Sequence, residues 1–521
     1  MSATVPIDSP LLGLNTRDPF IPFESRYARE LTNYYLKDGA LTMRPAVRST
    51  AANVAFVNTR LVWLDRTDND LAVSEAGNRI NLSTGATIAA LTSYGIQRMP
   101  IVQKHVSLNL VIGLGAPRDD ISPFAPWTFT TLGITATAIT SACSHKGRLY
   151  VSDGATIEYS DIGQISGAIP TGQTFPISRF MQGESVLRMF SVTALPGNYT
   201  SNVFVIFGTG GRVLVYQGDY PGSPSWELIG DFKMPEPINE ACFVEVNGDI
   251  FVGTKTYAYW FRDLFTAGAQ TAFDNRPSIN IDNLWQSVSW DFGDYSTFPE
   301  YSHFYYNSTI NALICQCFEK GFLSTVGEYG SEPCTFVYSL EYKAWTMWLN
   351  SPLFGPIVNN AIGFGYRGGY SALSFAEEID TEMDGTEHAI ITSWKTPFLS
   401  PQTGKNRLLG GVKPFFKNVS DGVLATLRAI FDFSDYNNIF GFYSQPSAST
   451  VTPPAYYTDG SIIVNQQSSG IYTEFAGLSG NGAAFSIQFT QVGVDTLSFP
   501  YQRQTIYKAS ALLTEGANYP A

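Results

Sequence analysis

Short strand-like runs recur along most of the chain, several opening on Gly, Asn or Arg. The clearest are Arg60-Leu61-Val62-Trp63, Asn109-Leu110-Val111-Ile112, Gly147-Arg148-Leu149-Tyr150-Val151, Gly211-Arg212-Val213-Leu214-Val215 and Gly248-Asp249-Ile250-Phe251-Val252. Fainter echoes start at Asn311 and Gly369. The starts are spaced by about 37 to 64 residues, an irregular version of the roughly 40 to 50 residues of a four-stranded propeller blade. A repeat of this kind cannot bury its own apolar faces and must stack on its neighbours, so it restricts the fold more than any other feature. The count predicts six or seven blades.

The interior of the repeats agrees. Phe204-Val205-Ile206-Phe207, the Gly208-Thr209-Gly210-Gly211 turn, Val213 to Tyr216 and Ser225 to Ile229 read as three consecutive antiparallel strands. Thr335 to Tyr342 and Ala344 to Trp348 read as another pair. Such runs are apolar on both faces, as expected of strands covered from two sides. No Gly-His or Trp-Asp signature marks the repeats.

With 521 residues, the chain exceeds the roughly 250 to 300 residues at which a single core stops growing. Phe (36) and Tyr (28) dominate the aromatics, which favours strands. Charged residues are only 15%, against about 25% in ordinary domains, as suits a surface covered by neighbours. The formal net charge of −13 argues against a surface that grips nucleic acid, because phosphate binding needs clustered Lys and Arg. It is compatible with a wall past which nucleic acid slides without sticking. Residues Met1 to Asp8 carry neither a basic region nor an apolar run, so no secretion signal is expected, and no apolar stretch approaches the roughly 20 residues of a membrane span.

From about Glu387 the texture changes. Val423 to Phe433 alternates with period two, Phe485 to Thr490 repeats the alternation, and Tyr443 to Gly470 reads as a long loop. The expected organisation is an N-terminal segment (1–50), an irregular propeller (51–386) and a C-terminal β region (387–521). The last is a β-sandwich or barrel platform completed by the N-terminal segment. Fold class is mainly β.

Candidate chemistry is sparse. Gly363-Phe364-Gly365-Tyr366-Arg367-Gly368 has dinucleotide-type glycine spacing, but the next residues, Gly369 to Phe375, are strand-like rather than helical, so a turn explains it better. Glu377, Glu378, Asp380, Glu382, Asp384 and Glu387 form the densest acidic stretch, read as a solvated loop. Asp380, Glu382 and Asp384 imitate the start of a calcium loop and are metal candidates, although its twelfth position is Ile391 rather than Glu. Cys315 and Cys317 share a strand face but lack a second ligand pair. His105, His145, His303 and His388 sit in no His-Glu-x-x-His arrangement, and there is no Gly-x-Ser-x-Gly elbow. We read the histidines as structural, expect no cofactor, and read Cys143, Cys242, Cys315, Cys317 and Cys334 as buried strand thiols. Paired carboxylates for glycoside hydrolysis stay open, since their separation is a property of the fold.

The beginning of the chain is heavily punctuated: Gly13-Leu14-Asn15, then Leu31-Thr32-Asn33-Tyr34-Tyr35, then an Asp38-Gly39 turn and a strand ending at Arg44-Pro45. This order resembles the opening of the tail nozzle proteins of short-tailed bacteriophages, also called tail tubular protein B or packaged-DNA stabilisation proteins. Tyr159-Ser160-Asp161-Ile162-Gly163 and the strand entered at Thr396-Pro397-Phe398, with its turn to Arg407, are similar to later parts of that family.

The resemblance implies a non-enzymatic structural protein of the virion tail, made in the host cytoplasm and assembled as a homo-hexamer on the phage adaptor ring. Viral DNA would pass through without sequence-specific binding, and tail fibres or spikes would attach outside. Arg17, Asp18, Phe20, Arg44, Lys405 and Arg407 are the expected adaptor contacts. Deleting residues 1–45 should then leave a folded propeller that fails to assemble. The competing expectation is a propeller glycosidase, or a glycan- or receptor-binding tail protein, acting on host surface polysaccharide.

Overall fold

A computed structural model describes residues 2–17, 26–44, 139–164, 167–192, 202–288, 302–308, 310–318 and 333–349. Outside these it describes single strands between 46 and 133 and between 364 and 515, with Trp290, Thr396, Pro397 and Leu399. The chain is mainly β. Most of its central part is a succession of antiparallel meanders: 61–89 and 141–175 with four strands each, 101–120 with three, 186–233 with four, 243–260 with three and 303–349 with four. The first strands of neighbouring meanders lie side by side, Ile101–His105 against Ser141–His145 and that against Val186–Val192.

The apolar faces are buried between meanders, as the repeat requires. Tyr150, Ile157 and Tyr159 of one pack against Phe204, Ile206 and Leu214 of the next. The opposite face of that sheet, with Val205, Phe207, Val213 and Val215, packs on Phe243, Ile250 and Val252. Every side chain of Val203–Gly208 is buried because both faces are covered.

The uneven spacing of the sequence repeat now has a cause. The recurring run marks the second strand in Arg148–Ser152, Asp249–Gly253 and Ala312–Phe318, but the third in Arg212–Gln217 and the first in Leu61–Asp65. Lys146-Gly147 and Asn247-Gly248 both have positive φ at both positions, the two-residue hairpin that joins strands without splaying them. The stretch after residue 260 is helical: Phe261–Asp274, interrupted at Gly268 (φ 83°, ψ 170°), and Asp282–Ser287. Phe261, Leu264 and Ala272 fix the first helix to the core.

The two chain ends share sheets. Ser2–Asp8 pairs antiparallel with Thr505–Glu515, and Ala40–Met43 pairs with the same strand at Thr505 and Ile506. Arg407–Asn418 lies along the other side of that strand. Glu30–Thr32 is interior to a nine-stranded sheet, between Ala344–Leu349 and Ile391–Lys395, with Phe485–Val492 and Leu424–Phe431 beyond. Ala46–Ser49, before the first meander, pairs antiparallel with Ala376–Ile379, after the last.

Three sequence expectations change. Part of the stretch read as a loop from Tyr443 to Gly470 is the strand Ile462–Val464, paired with Leu424–Phe431. The acidic stretch is not a plain loop: Glu377 and Glu378 are in the strand Ala376–Ile379, and Met383–Asp384 pairs with His388–Ala389. Finally, residues 1–45 are not a detachable arm. Leu14, Leu31, Tyr34, Leu36 and Leu41 belong to the largest core, with Trp285, Phe336, Trp345 and Trp394. The thiols behave as read: all five cysteines are free and buried, and Cys317 Sγ donates to the Cys334 carbonyl at 3.2 Å.

Candidate functional site

The most elaborated region is the seam where the N-terminal segment joins the last meander to the C-terminal strands. Gly13–Leu14 pairs in parallel with Tyr27–Ala28. Gly13 has φ +74°, and a Cβ there would lie 2.7 Å from the Trp345 carbonyl oxygen and 2.8 Å from the Trp345 nitrogen. Only glycine meets both the torsion and the approach. Beyond it, Thr16 N–H donates to Asn280 O at 2.9 Å and Asn283 Nδ2 donates to Thr16 O at 2.9 Å. The helical insertion is thereby tied to the N-terminal segment.

Asn33 is the hub. It is buried with φ +59°, a left-handed conformation that Asn tolerates better than most residues. Its N–H donates to Met347 O at 2.7 Å and its carbonyl accepts from Arg44 N–H at 2.8 Å. Its Oδ1 accepts from Arg44 Nε at 3.1 Å and from Leu349 N–H at 2.9 Å. Replacing Asn33 by Gly keeps the torsion and removes the acceptor shared by the buried Arg44 donor and the part-buried Leu349 N–H. That should cost about 2 kcal/mol, and Asn33→Ala about 1 kcal/mol more from the backbone. Denaturant unfolding of the purified variants reads both differences.

Tyr34 continues the seam. Its carbonyl accepts from Trp348 Nε1 at 2.9 Å, and its Oη accepts from Thr392 Oγ1 at 2.9 Å. Burial pushes the Tyr34 phenol up, so it stays a neutral hydroxyl. Asp38-Gly39 forms the tight turn read from the sequence, with φ 50° and 74°, and Gly39 N–H donates to Tyr342 Oη at 2.7 Å. Lys395 Nζ meets Glu30 Oε2 at 3.1 Å, the two side chains 6% and 19% exposed, across directly paired residues. Thr396, singled out as a motif residue, closes the same edge: its Oγ1 accepts from Ile487 N–H at 3.0 Å, and its carbonyl accepts from Ser486 Oγ at 2.7 Å.

The expected contact residues fare differently. Arg17 is exposed, its N–H bonded to Asn15 Oδ1 at 3.2 Å. Arg44 is 1% exposed and held within the chain by Asn33. Arg407 starts the strand Arg407–Asn418, opposite Glu515. Asp18, Phe20 and Lys405 lie outside the described residues, as do Asp380 and Glu382 of the metal candidates. Asp384 is in a two-residue strand opposite His388. Among the described residues no group of three or more His, Cys, Asp or Glu is placed to hold a metal. Glu30 and Lys395 carried no local signal, because their partnership depends on a pairing 365 positions long in sequence. The chemistry of the seam is mechanical: backbone groups, amides and one ion pair lock three segments together.

No protein-family model matches the chain, and no curated protein matches it in sequence. Among solved structures, the β-propeller domain of Cps50 (Swd1) from Myceliophteria thermophila is similar at 10% identity and a TM-score of 0.37, over 67% of this chain and 99% of that one. The computationally designed protein Ika8 gives 12% identity and a TM-score of 0.34, over 64% and 100%. Hsv2 of Kluyveromyces lactis gives 11% and 0.27, over 62% and 98%. These scores are too low to carry an argument about this chain.

Proposed function

We propose that the chain is the distal tail nozzle of a short-tailed phage: a non-enzymatic virion protein that continues the DNA channel below the adaptor, holds packaged DNA and lets it leave. In this reading the meanders close as a propeller of six or seven blades, and the shared terminal sheets form the platform that faces the adaptor. The reading is supported by the sequence resemblance at 13–45, 159–163 and 396–407. The observation that carries it is the weaving of residues 2–8, 30–32 and 40–43 into the C-terminal strands. A platform made from both chain ends keeps the propeller fixed to its support while DNA passes under pressure. The pairing of Ala46–Ser49 with Ala376–Ile379 supports ring closure, because it joins the segment before the first meander to the segment after the last.

Six copies would each bring a formal net charge of −13, giving a conduit that repels phosphates rather than adsorbing them. Tail fibres or spikes would bind the outer loops. Among the described residues no helix is long and apolar enough to cross a membrane.

The test mixes purified protein with the adaptor ring of its phage and images the product by negative stain. Sixfold rings seated on the adaptor are expected, and Arg17→Glu, a change at an exposed position, should weaken seating without altering the melting temperature. A chain that stays monomeric with the adaptor present, or that cleaves or binds host glycans in isolation, would replace this reading with the competing one.

A further inference from the structure

Two histidines occupy the same place in successive meanders. His105 ends the first strand of one meander, Ile101–His105, and His145 ends the first strand of the next, Ser141–His145. Each reaches the next-to-last residue of the following first strand. His105 Nδ1 is 2.9 Å from Ser144 Oγ, and His145 Nδ1 is 2.8 Å from Ser191 Oγ. The second ring nitrogens differ in their surroundings. His105 Nε2 is 3.0 Å from the Gln164 carbonyl, after the third strand of the following meander. His145 Nε2 is buried and has no hydrogen-bond partner among the described residues.

A carbonyl only accepts, so His105 carries its proton on Nε2 and its Nδ1 accepts from the Ser144 hydroxyl. Both imidazoles are 0% exposed. The series is bounded: the matching positions one step earlier are Asp65 and Lys104, and one step later Val192 and Glu245.

We propose that His105 and His145 are acid-released latches between successive meanders, holding while the imidazoles are neutral and opening when they take up a proton. Protonation removes the Nδ1 acceptor that the Ser144 hydroxyl uses and, at either histidine, places a cation in a buried contact. The groups at hydrogen-bond distance from His105, Ser144 and Gln164, are uncharged. His145 is surrounded by Tyr150, Phe204 and Trp226. The charges acting on it are Lys146 and Asp219, themselves paired at 3.1 Å. The Asp219 carboxylate offsets only part of the cost, since burial still pushes His145 down to about 4 and shifts His105 in the same direction. A depressed histidine contributes stability that is present above its unfolded value of about 6.5 and is lost as pH falls toward its folded value. The window therefore runs from about 6.5 to about 4.

The test uses the full-length protein. Between about pH 7.5 and pH 5, the folding equilibrium should fall by about 30-fold through His145 alone. Amide exchange, corrected for its intrinsic pH dependence, should rise in 141–145 and 186–192. The double variant His105→Gln, His145→Gln has no imidazole to protonate and should lose most of that dependence. An equal fall in the double variant, assigning the effect to carboxylates, would overturn the proposal. So would unchanged exchange in those strands of the unaltered protein, a result that stands even if the double variant does not fold.

Discussion

Removing residues 1–45 is expected to abolish folding, not merely assembly. The deleted piece contains Ile7, Leu14, Leu31, Tyr34, Leu36 and Leu41, each at most 4% exposed. Truncating a single buried side chain of this size costs about 2–5 kcal/mol, and a whole domain is stable by only about 5–15 kcal/mol. The loss also leaves Trp348 Nε1 and Leu349 N–H without their acceptors. It opens the nine-stranded sheet between Ala344–Leu349 and Ile391–Lys395 and bares two long edges prone to pairing with other chains. Insoluble or proteolytically labile product, with no cooperative melting transition, is the expected outcome. A soluble truncated protein that melts cooperatively near the full-length temperature would show that the seam is dispensable. Assembly on an adaptor therefore has to be tested with surface changes such as Arg17→Glu.

The second large effect should come from one residue. Gly13→Val sets a β-branched side chain at φ +74°, which costs about 1–3 kcal/mol in strain. It also drives Cβ onto the backbone of Trp345, where the obstructing atoms are a carbonyl oxygen and a nitrogen and cannot rotate away. Overpacking of this kind adds about 1–3 kcal/mol. A combined loss of about 4 kcal/mol is expected in urea unfolding, falling on the seam rather than on the meander 186–233. Gly39→Val is the control, because nothing lies within 4 Å of a Cβ there despite a similar φ. It should show the strain and not the clash. Equal losses at the two positions would mean that close approach to Trp345 contributes nothing.

Much of this fold is legible in the sequence because it is local. Apolar runs and punctuation mark Val203–Gly208, Arg212–Gln217, Pro333–Ser339 and Ala344–Leu349 within two or three residues. The Asp38-Gly39 turn is written in two adjacent residues. The repeat spacing is legible but misleading in detail, since the recurring run is the first strand of one meander, the second of others and the third of another. The helical insertion is less legible: Phe261–Asp274 contains Gly268 in a non-helical conformation, which weakens any periodicity.

The candidate site divides along the same line. Gly13 and Asn33 stand out in the sequence as punctuation, and their local torsions follow from residue type. Their partners do not. Asn33 meets Arg44 eleven residues away but Leu349 over three hundred away, and Arg44, expected at a surface, is buried by that contact.

The sequence by itself determined a mainly β chain of stacked meanders with marked turns, because strand pattern and turn chemistry act over a few residues. Only the tertiary structure decided that the N-terminal segment is an interior part of the core, that Glu30 pairs with Lys395, and that each latch histidine faces a serine one meander on. Those are pairings between distant segments, selected by which buried faces and backbone donors find partners once all the strands are in place.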